Sequence, residues 1–257
     1  MTVPDLATHD ESVRAARRFG ARTVIAFTAI FLVAVPFGVL TTLIVTNSAD
    51  LLSVDRHVAS ALHGYALDHP TVTHLMRGVG AVFSAIGWWI ILTPVVAWLL
   101  VRRRPRLAAF VAVTAIGSSL LNGLIKTTVH RARPHFADPV ATAVGKSFPS
   151  GHTQAATVGF GLLVLVFLPF LPARTRPWAW VGAAFMVVLV GFSRVALGVH
   201  YLTDVVGALL IGSAWLLAMT AAFSAWRSEL HRPVVPISEG LEPEPEAMDG
   251  TNAIAPD

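Results

Sequence analysis

Residues 193–226 read SRVALGVHYLTDVVGALLIGSAWLLAMTAAFSAW, and this stretch decides the architecture. From Leu202 to Trp226 its sole ionisable side chain is Asp204. A helix rising about 1.5 Å per residue over that length crosses the roughly 30 Å hydrocarbon core of a bilayer. Working outward, the same pattern recurs at about Thr23–Thr46, Gly78–Val101, Leu107–Ile125, Thr153–Leu171 and Trp178–Leu197, where Arg194 is the single charged residue. The composition agrees, since 54% hydrophobic and 13% charged residues over 257 positions exclude an ordinary soluble domain. The expected fold is all-α: a polytopic membrane protein of six transmembrane helices. The first stretch is too long for a signal-peptide core and lacks a clear small-residue cleavage site, so it is expected to remain as a helix.

Arginines set the expected orientation. They crowd positions 14, 17, 18 and 22, then 102, 103, 104 and 106, then 174 and 176, three sites that share one face of a six-helix arrangement. Both termini are therefore expected to be cytoplasmic, with the 47–77 and 126–152 segments and the 198–201 turn outside. Lys126, Arg131, Arg133, Lys146 and Arg194 then lie on or near the outer face, against the positive-inside trend. Residues 1–22 form an N-terminal cytoplasmic segment and 23–226 the helical domain. The Pro- and Glu-rich stretch 227–257 is expected to be a disordered cytoplasmic tail. Between the first two spans, Val54, Val58, Ala61, Leu62 and Tyr65 suggest a short amphipathic helix over 54–67, lying on the outer leaflet.

The absence of cysteine removes disulfides and thiolate chemistry. The net charge of +4 is explained by topology signals and anionic lipid contact, and no nucleic-acid footprint is present. His57, His63, His69 and His74 fit no compact metal template and are expected to be interfacial or solvated. His130, Arg131, His135 and Lys146 are expected to be solvated loop residues flanking the chemistry.

Three polar clusters stand at the ends of the apolar stretches. Lys126 ends the third, and Arg133-Pro134 follows in a loop where proline extends its predecessor, so two cations converge. Pro149-Ser150-Gly151-His152 opens the fourth, with Ser150 as N-cap, Gly151 permitting close backbone approach, and His152 at the rim as a proton donor. Arg194 nearly ends the fifth, and His200 and Asp204, spaced i, i+4, share a face if that turn is helical. An aspartate on one imidazole nitrogen leaves the other free to attack. An Asp inside a span costs roughly 2.5–3.5 kcal/mol at mid-membrane and less near the interface, so Asp204 needs a partner. Taken singly, each cluster also fits a structural role: snorkelling anchors, a capped helix start, a helix-end ion pair.

Together, Lys-x6-Arg-Pro at 126–134, Pro-Ser-Gly-His at 149–152 and Ser-Arg-x5-His-x3-Asp at 193–204 resemble the three-part signature of the type 2 phosphatidic acid phosphatase superfamily, in its membrane branch. The resemblance covers roughly residues 23–226. It implies that His200 attacks phosphorus to form a phosphohistidine, that Asp204 orients it, and that His152 protonates the leaving alkoxide and then activates water. It further implies that Lys126, Arg133, Ser150, Gly151, Ser193 and Arg194 hold the phosphate, with neither metal nor cofactor. Leu202 departs from the proline many relatives carry there, and Tyr201 and Thr203 are expected to make the turn.

The expected activity is hydrolysis of a lipid phosphate or diphosphate, such as polyprenyl diphosphate, phosphatidate or phosphatidylglycerol phosphate, at the extracytoplasmic face of the cell membrane. The partners are that substrate and membrane lipids. Alternatives are a lipid phosphotransferase using the same intermediate, vanadate-dependent haloperoxidase chemistry, which the membrane architecture disfavours, and a non-catalytic lipid-binding or transport protein.

Overall fold

The computed structural model describes residues 31–229, together with Thr28 and residues 240–241. Every regular element among them is helical: α1 (Phe31–Val45), α2 (Ala49–Asp68), α3 (Pro70–Val82), α4 (Ala85–Val101), α5 (Pro105–Val129), α6 (Gly151–Phe167) with a 3-10 turn at Leu168–Phe170, α7 (Arg176–Ala196) and α8 (Leu202–Glu229). The expected segment 1–22 and most of the tail lie outside the described residues. Of the tail, Leu241 is buried in the main core and Gly240 sits against Pro169.

Helices α5, α6, α7 and α8 are each long and apolar enough to cross a membrane alone. The remainder form two bent pairs, α1 with α2 at 92° and α3 with α4 at 49°, giving up to six spans. Prolines at the first turns of α3, α5 and α7 suit positions whose N–H groups have no helical acceptor. The expected second span, 78–101, is broken at Phe83–Ser84. Ser84 caps α4 by accepting a hydrogen bond from the Gly87 N–H at 3.1 Å, and a side chain at Gly87 would overlap the Val82 carbonyl.

Helix α6 is the hub, packing on α4, α5, α7 and α8. Its Leu162, Leu165 and Val166 are buried with Leu92, Phe110 and Val111, and Phe160 meets Trp88 edge-to-face at 5.0 Å. The periphery is apolar too: Ile86 is 72% and Leu120 70% exposed, side chains that only lipid can cover. This is a multi-pass membrane protein.

The surface helix is present as expected and is longer than 54–67. It runs over Ala49–Asp68, and the face it turns to the protein carries Asp55, Ala59, His63 and Ala66. Val54 and Tyr65, on the expected apolar face, are exposed on the opposite side, as a helix lying on the leaflet requires. With α3, it packs across α7 at the end of the bundle where α5 and α7 finish and α6 and α8 begin. His63 is buried, stacked on Phe136 at 3.9 Å with Nε2 3.1 Å from the Asp138 carbonyl, which corrects its expected solvation. His57, His69 and His74 are exposed.

Candidate active site

The turn between α7 and α8 wraps around one carbonyl. The N–H groups of Val199 and His200 both donate to the Arg194 oxygen, at 3.2 and 3.3 Å, and Gly198 makes the reversal possible with φ +68. This projects His200 inward, where it is 2% exposed. Its Nδ1 lies 3.3 Å from Asp204 Oδ2, and its Nε2 3.0 Å from Arg133 Nη1. A carboxylate only accepts and a guanidinium only donates, so Nδ1 carries the proton and Nε2 is the bare nitrogen. Burial drives the His200 pKa down from 6.5 to about 4; Asp204 opposes this, while Arg133 and Lys126 reinforce it.

The cations arrive from three elements. Lys126 comes from the last turn of α5, its Nζ 3.7 Å from where a Cβ on Gly151 would stand. Arg133 is pinned in the loop by the carbonyls of Gly145, Val144 and Val199, at 3.1, 3.2 and 2.7 Å. Arg194, near the end of α7, is buried, and its Nε has no hydrogen-bond partner. A buried donor left open beside other cations can receive an anion. His152, at the start of α6, meets the Gly80 backbone and lies within electrostatic reach of Arg194, His200 and Lys126.

Ser150 caps α6 as expected: its Oγ accepts from the Thr153 N–H at 3.4 Å and from the Thr153 hydroxyl at 3.0 Å. The Gly151 and His152 N–H groups, in the helix's first turn, are left for a ligand. Asn122 Nδ2 donates to Gln154 Oε1 at 2.9 Å, and Gln154 Nε2 donates to the Ser118 carbonyl at 2.9 Å. These bonds lock α5 to α6 just below Lys126. Ser193 differs from the expected phosphate donor, because its buried hydroxyl donates to the Val190 carbonyl at 2.6 Å.

Gly80, on α3, was invisible to sequence reasoning. A Cβ there would overlap Arg194 Nη1, so the glycine leaves room for the guanidinium. Gly80→Val is expected to displace Arg194 and lower kcat/KM about 100-fold in a phosphatase assay, with the helical content by circular dichroism unchanged.

Three further residues surround Asp204. Ser147 Oγ donates to its Oδ2, the Tyr201 N–H reaches the same oxygen at 2.9 Å, and Arg131 Nη1 reaches Oδ1 at 2.6 Å. Arg131 is therefore not the solvated loop residue expected. It is 9% exposed, stacks on the Tyr201 ring at 4.4 Å, and pairs through Nη2 with Asp55 Oδ2 at 2.5 Å. Asp55 in turn accepts from the Thr203 N–H at 3.0 Å and from the Thr203 hydroxyl. The start of α8 is thus held by Asp55 and Asp204. His130 and His135 are exposed, as expected.

Comparisons with known proteins place the chain in a family and a fold. The family model for the PAP2 superfamily matches residues 106–228. Phosphatidylglycerophosphatase B of Bacillus subtilis is 38% identical over 95 residues, 36% of this chain but only 46% of that relative's length. An undecaprenyl-diphosphatase of Sulfolobus acidocaldarius is 28% identical over 174 residues, covering 65% of this chain and 77% of that protein. The crystal structure of a transmembrane PAP2 type phosphatidylglycerolphosphate phosphatase from Bacillus subtilis shares the fold, with a TM-score of 0.70 over 79% of this chain and 97% of that one at 23% identity.

Proposed function

This chain belongs to the PAP2 superfamily, and from that premise we propose that it is an integral membrane phosphatase that hydrolyses a lipid phosphate or diphosphate through a phosphohistidine on His200. The observation that carries the reading is the buried His200, whose Nδ1 is held by Asp204 while its Nε2 meets Arg133, with Lys126 in electrostatic reach and Arg194 beside Arg133. A phosphoryl group spreads its charge over three equatorial oxygens, and three fixed cations with the first N–H groups of α6 complement that charge.

The proposed chemistry is two displacements. Nε2 of His200 forms a bond to phosphorus as the bond to the leaving oxygen breaks, and His152 gives that oxygen its proton. His152 then takes a proton from water as the water oxygen attacks phosphorus, releasing inorganic phosphate and restoring Nε2. Arg133 Nη1, which holds Nε2, moves to a phosphate oxygen when substrate arrives.

The site is proposed to face the extracytoplasmic side, with both termini cytoplasmic. The arginine-rich connections at 102–106 and 174–176 lie at the opposite end of the bundle from the dyad. A phosphate clamp at headgroup depth between apolar helices suits a lipid substrate. The relatives' names, one for phosphatidylglycerophosphate and one for undecaprenyl diphosphate, keep monoester and diphosphate lipids as the two substrate classes.

The test is phosphate release by purified protein in detergent with EDTA, from polyprenyl diphosphate, phosphatidate, phosphatidylglycerol phosphate and a soluble monoester. The expected result is metal-independent release from a lipid that Lys126→Ala and Arg194→Ala each slow about 100- to 1,000-fold. Absence of release from every lipid by well-folded protein overturns the hydrolytic reading.

The pH dependence follows from the depressed His200. Its nucleophilic form is neutral, so kcat/KM is expected to hold down to mildly acid pH and to fall as pH approaches about 4. Stability moves the same way. The unfolded chain protonates this histidine below about 6.5 while the folded chain resists, so stability is lost as pH falls from about 6.5 toward 4. Thermal unfolding of wild type and His200→Gln across that window checks the sign, the variant being expected to show a shallower slope.

A further inference from the structure

We infer that Asp55, on the surface helix α2, is a positioning residue of the proposed reaction: it engages the Arg131 guanidinium so that Asp204 keeps its negative charge for His200. The inference rests on the phosphatase reading above, in which His200 becomes cationic as its bond to phosphorus forms.

The charge count carries the argument. Asp204 is 0% exposed, and its Oδ1 lies 2.6 Å from Arg131 Nη1. With these two groups alone, the carboxylate beside His200 would be neutralised by an arginine that never touches substrate. Asp55, also 0% exposed, sits on the other arm of the same guanidinium, Oδ2 to Nη2 at 2.5 Å. Two carboxylates share one cation, and the buried group carries a formal charge of one negative unit. That charge complements an imidazole that is neutral at rest and cationic in the covalent intermediate, in surroundings where few other counter-charges exist. Lys126, Arg133, Arg194 and His152, the other ionisable groups around His200, are all basic.

Geometry joins the same residues. Asp55 Oδ1 accepts the Thr203 N–H at 3.0 Å, and the Thr203 hydroxyl bridges Asp55 and Arg131. The helix that begins beside Thr203 places Asp204, and the Tyr201 ring closes the remaining face of the guanidinium. One carboxylate from a distant helix thus governs both the charge next to Asp204 and the first turn that aims it. Substrate is held by other groups, so the effect belongs to turnover and not to binding.

The test compares wild type, Asp55→Asn, and Asp55→Asn combined with Arg131→Gln, in detergent with the lipid that wild type hydrolyses best and His200→Ala as blank. The single variant leaves Arg131 to neutralise Asp204; kcat is expected to fall about 30-fold with KM within about threefold. The double variant removes the excess cation and returns the group to one negative unit, so kcat is expected to recover about tenfold over the single variant. A merely structural role predicts the reverse, because two damaged anchors are worse than one. A double variant as slow as Asp55→Asn, with both folded by thermal unfolding, overturns the inference, as does wild-type kcat in Asp55→Asn. Should Asp55→Asn fail to fold, a folded double variant more than about 30-fold slower than wild type overturns it as well. In each case His200-dependent turnover of wild type leaves the phosphatase reading standing. A silent wild type overturns both.

Discussion

His200→Ala is expected to abolish phosphate release, lowering kcat by about 10,000-fold or more, while the helical bundle stays folded. The size follows from what is removed. Without Nε2 the proposed reaction has no atom on which the phosphoryl group can rest between its two transfers, and His152, the other imidazole near the cations, is assigned to moving the proton. The fold is expected to survive, because His200 makes one hydrogen bond to Asp204 and Asp204 retains donors in Ser147, Tyr201 and Arg131. Turnover is read as inorganic phosphate and integrity as the thermal midpoint in detergent. Residual release above about one part in a thousand of wild type would remove His200 from the nucleophile's role.

The second large effect is on stability, and it separates two arginines of similar burial. Arg131→Ala strands two fully buried carboxylates, Asp55 and Asp204, and is expected to cost about 3–5 kcal/mol, visible as a large drop in the unfolding midpoint. Arg194→Ala is expected to do the opposite. Arg194 has no carboxylate partner among the described residues, its Nε is unsatisfied and its electrostatic neighbour is Arg133, so losing it relieves strain and leaves the midpoint unchanged or raised. One arginine is expected to hold the fold together, and the other to serve the proposed chemistry at the fold's expense.

What the sequence revealed, and what it hid, follow from distance along the chain. His200 with Asp204, Ser150 with Gly151 and His152, and Lys126 with Arg133 lie a few residues apart, so helical geometry and the family signature made them legible before any coordinates. The partners of those residues were not. Asp55 meets Thr203 across 148 residues and Arg131 across 76, and no local pattern marks an aspartate on a surface helix as a cap for the last helix. Arg131 was misread for the same reason, since its neighbours in sequence are loop residues while its neighbours in space are two carboxylates and an aromatic ring. Helix α2 was legible on its apolar side and hidden on its polar one. Val54 and Tyr65 turn outward, as a helix on the outer leaflet requires, while Asp55 and His63 turn in to partners that lie far along the chain. The break at Ser84 was hidden because α3 and α4 together read as one apolar run.

The 148-residue reach from Asp55 to the first turn of α8 also constrains biogenesis. The chain leaves the ribosome with α2 well before α8, so a nascent protein inserted only as far as α7 already holds Asp55 and Arg131 but lacks Thr203 and Asp204. Its catalytic end is open at that stage, with polar groups facing a gap that water or a chaperone must fill. Insertion of α8 closes this gap and, in one event, sets Asp204 against Arg131 and the proposed nucleophile His200. A chain truncated before Leu202 would carry an unfinished polar wound at the membrane surface, the kind of feature by which membrane quality control recognises a failed product.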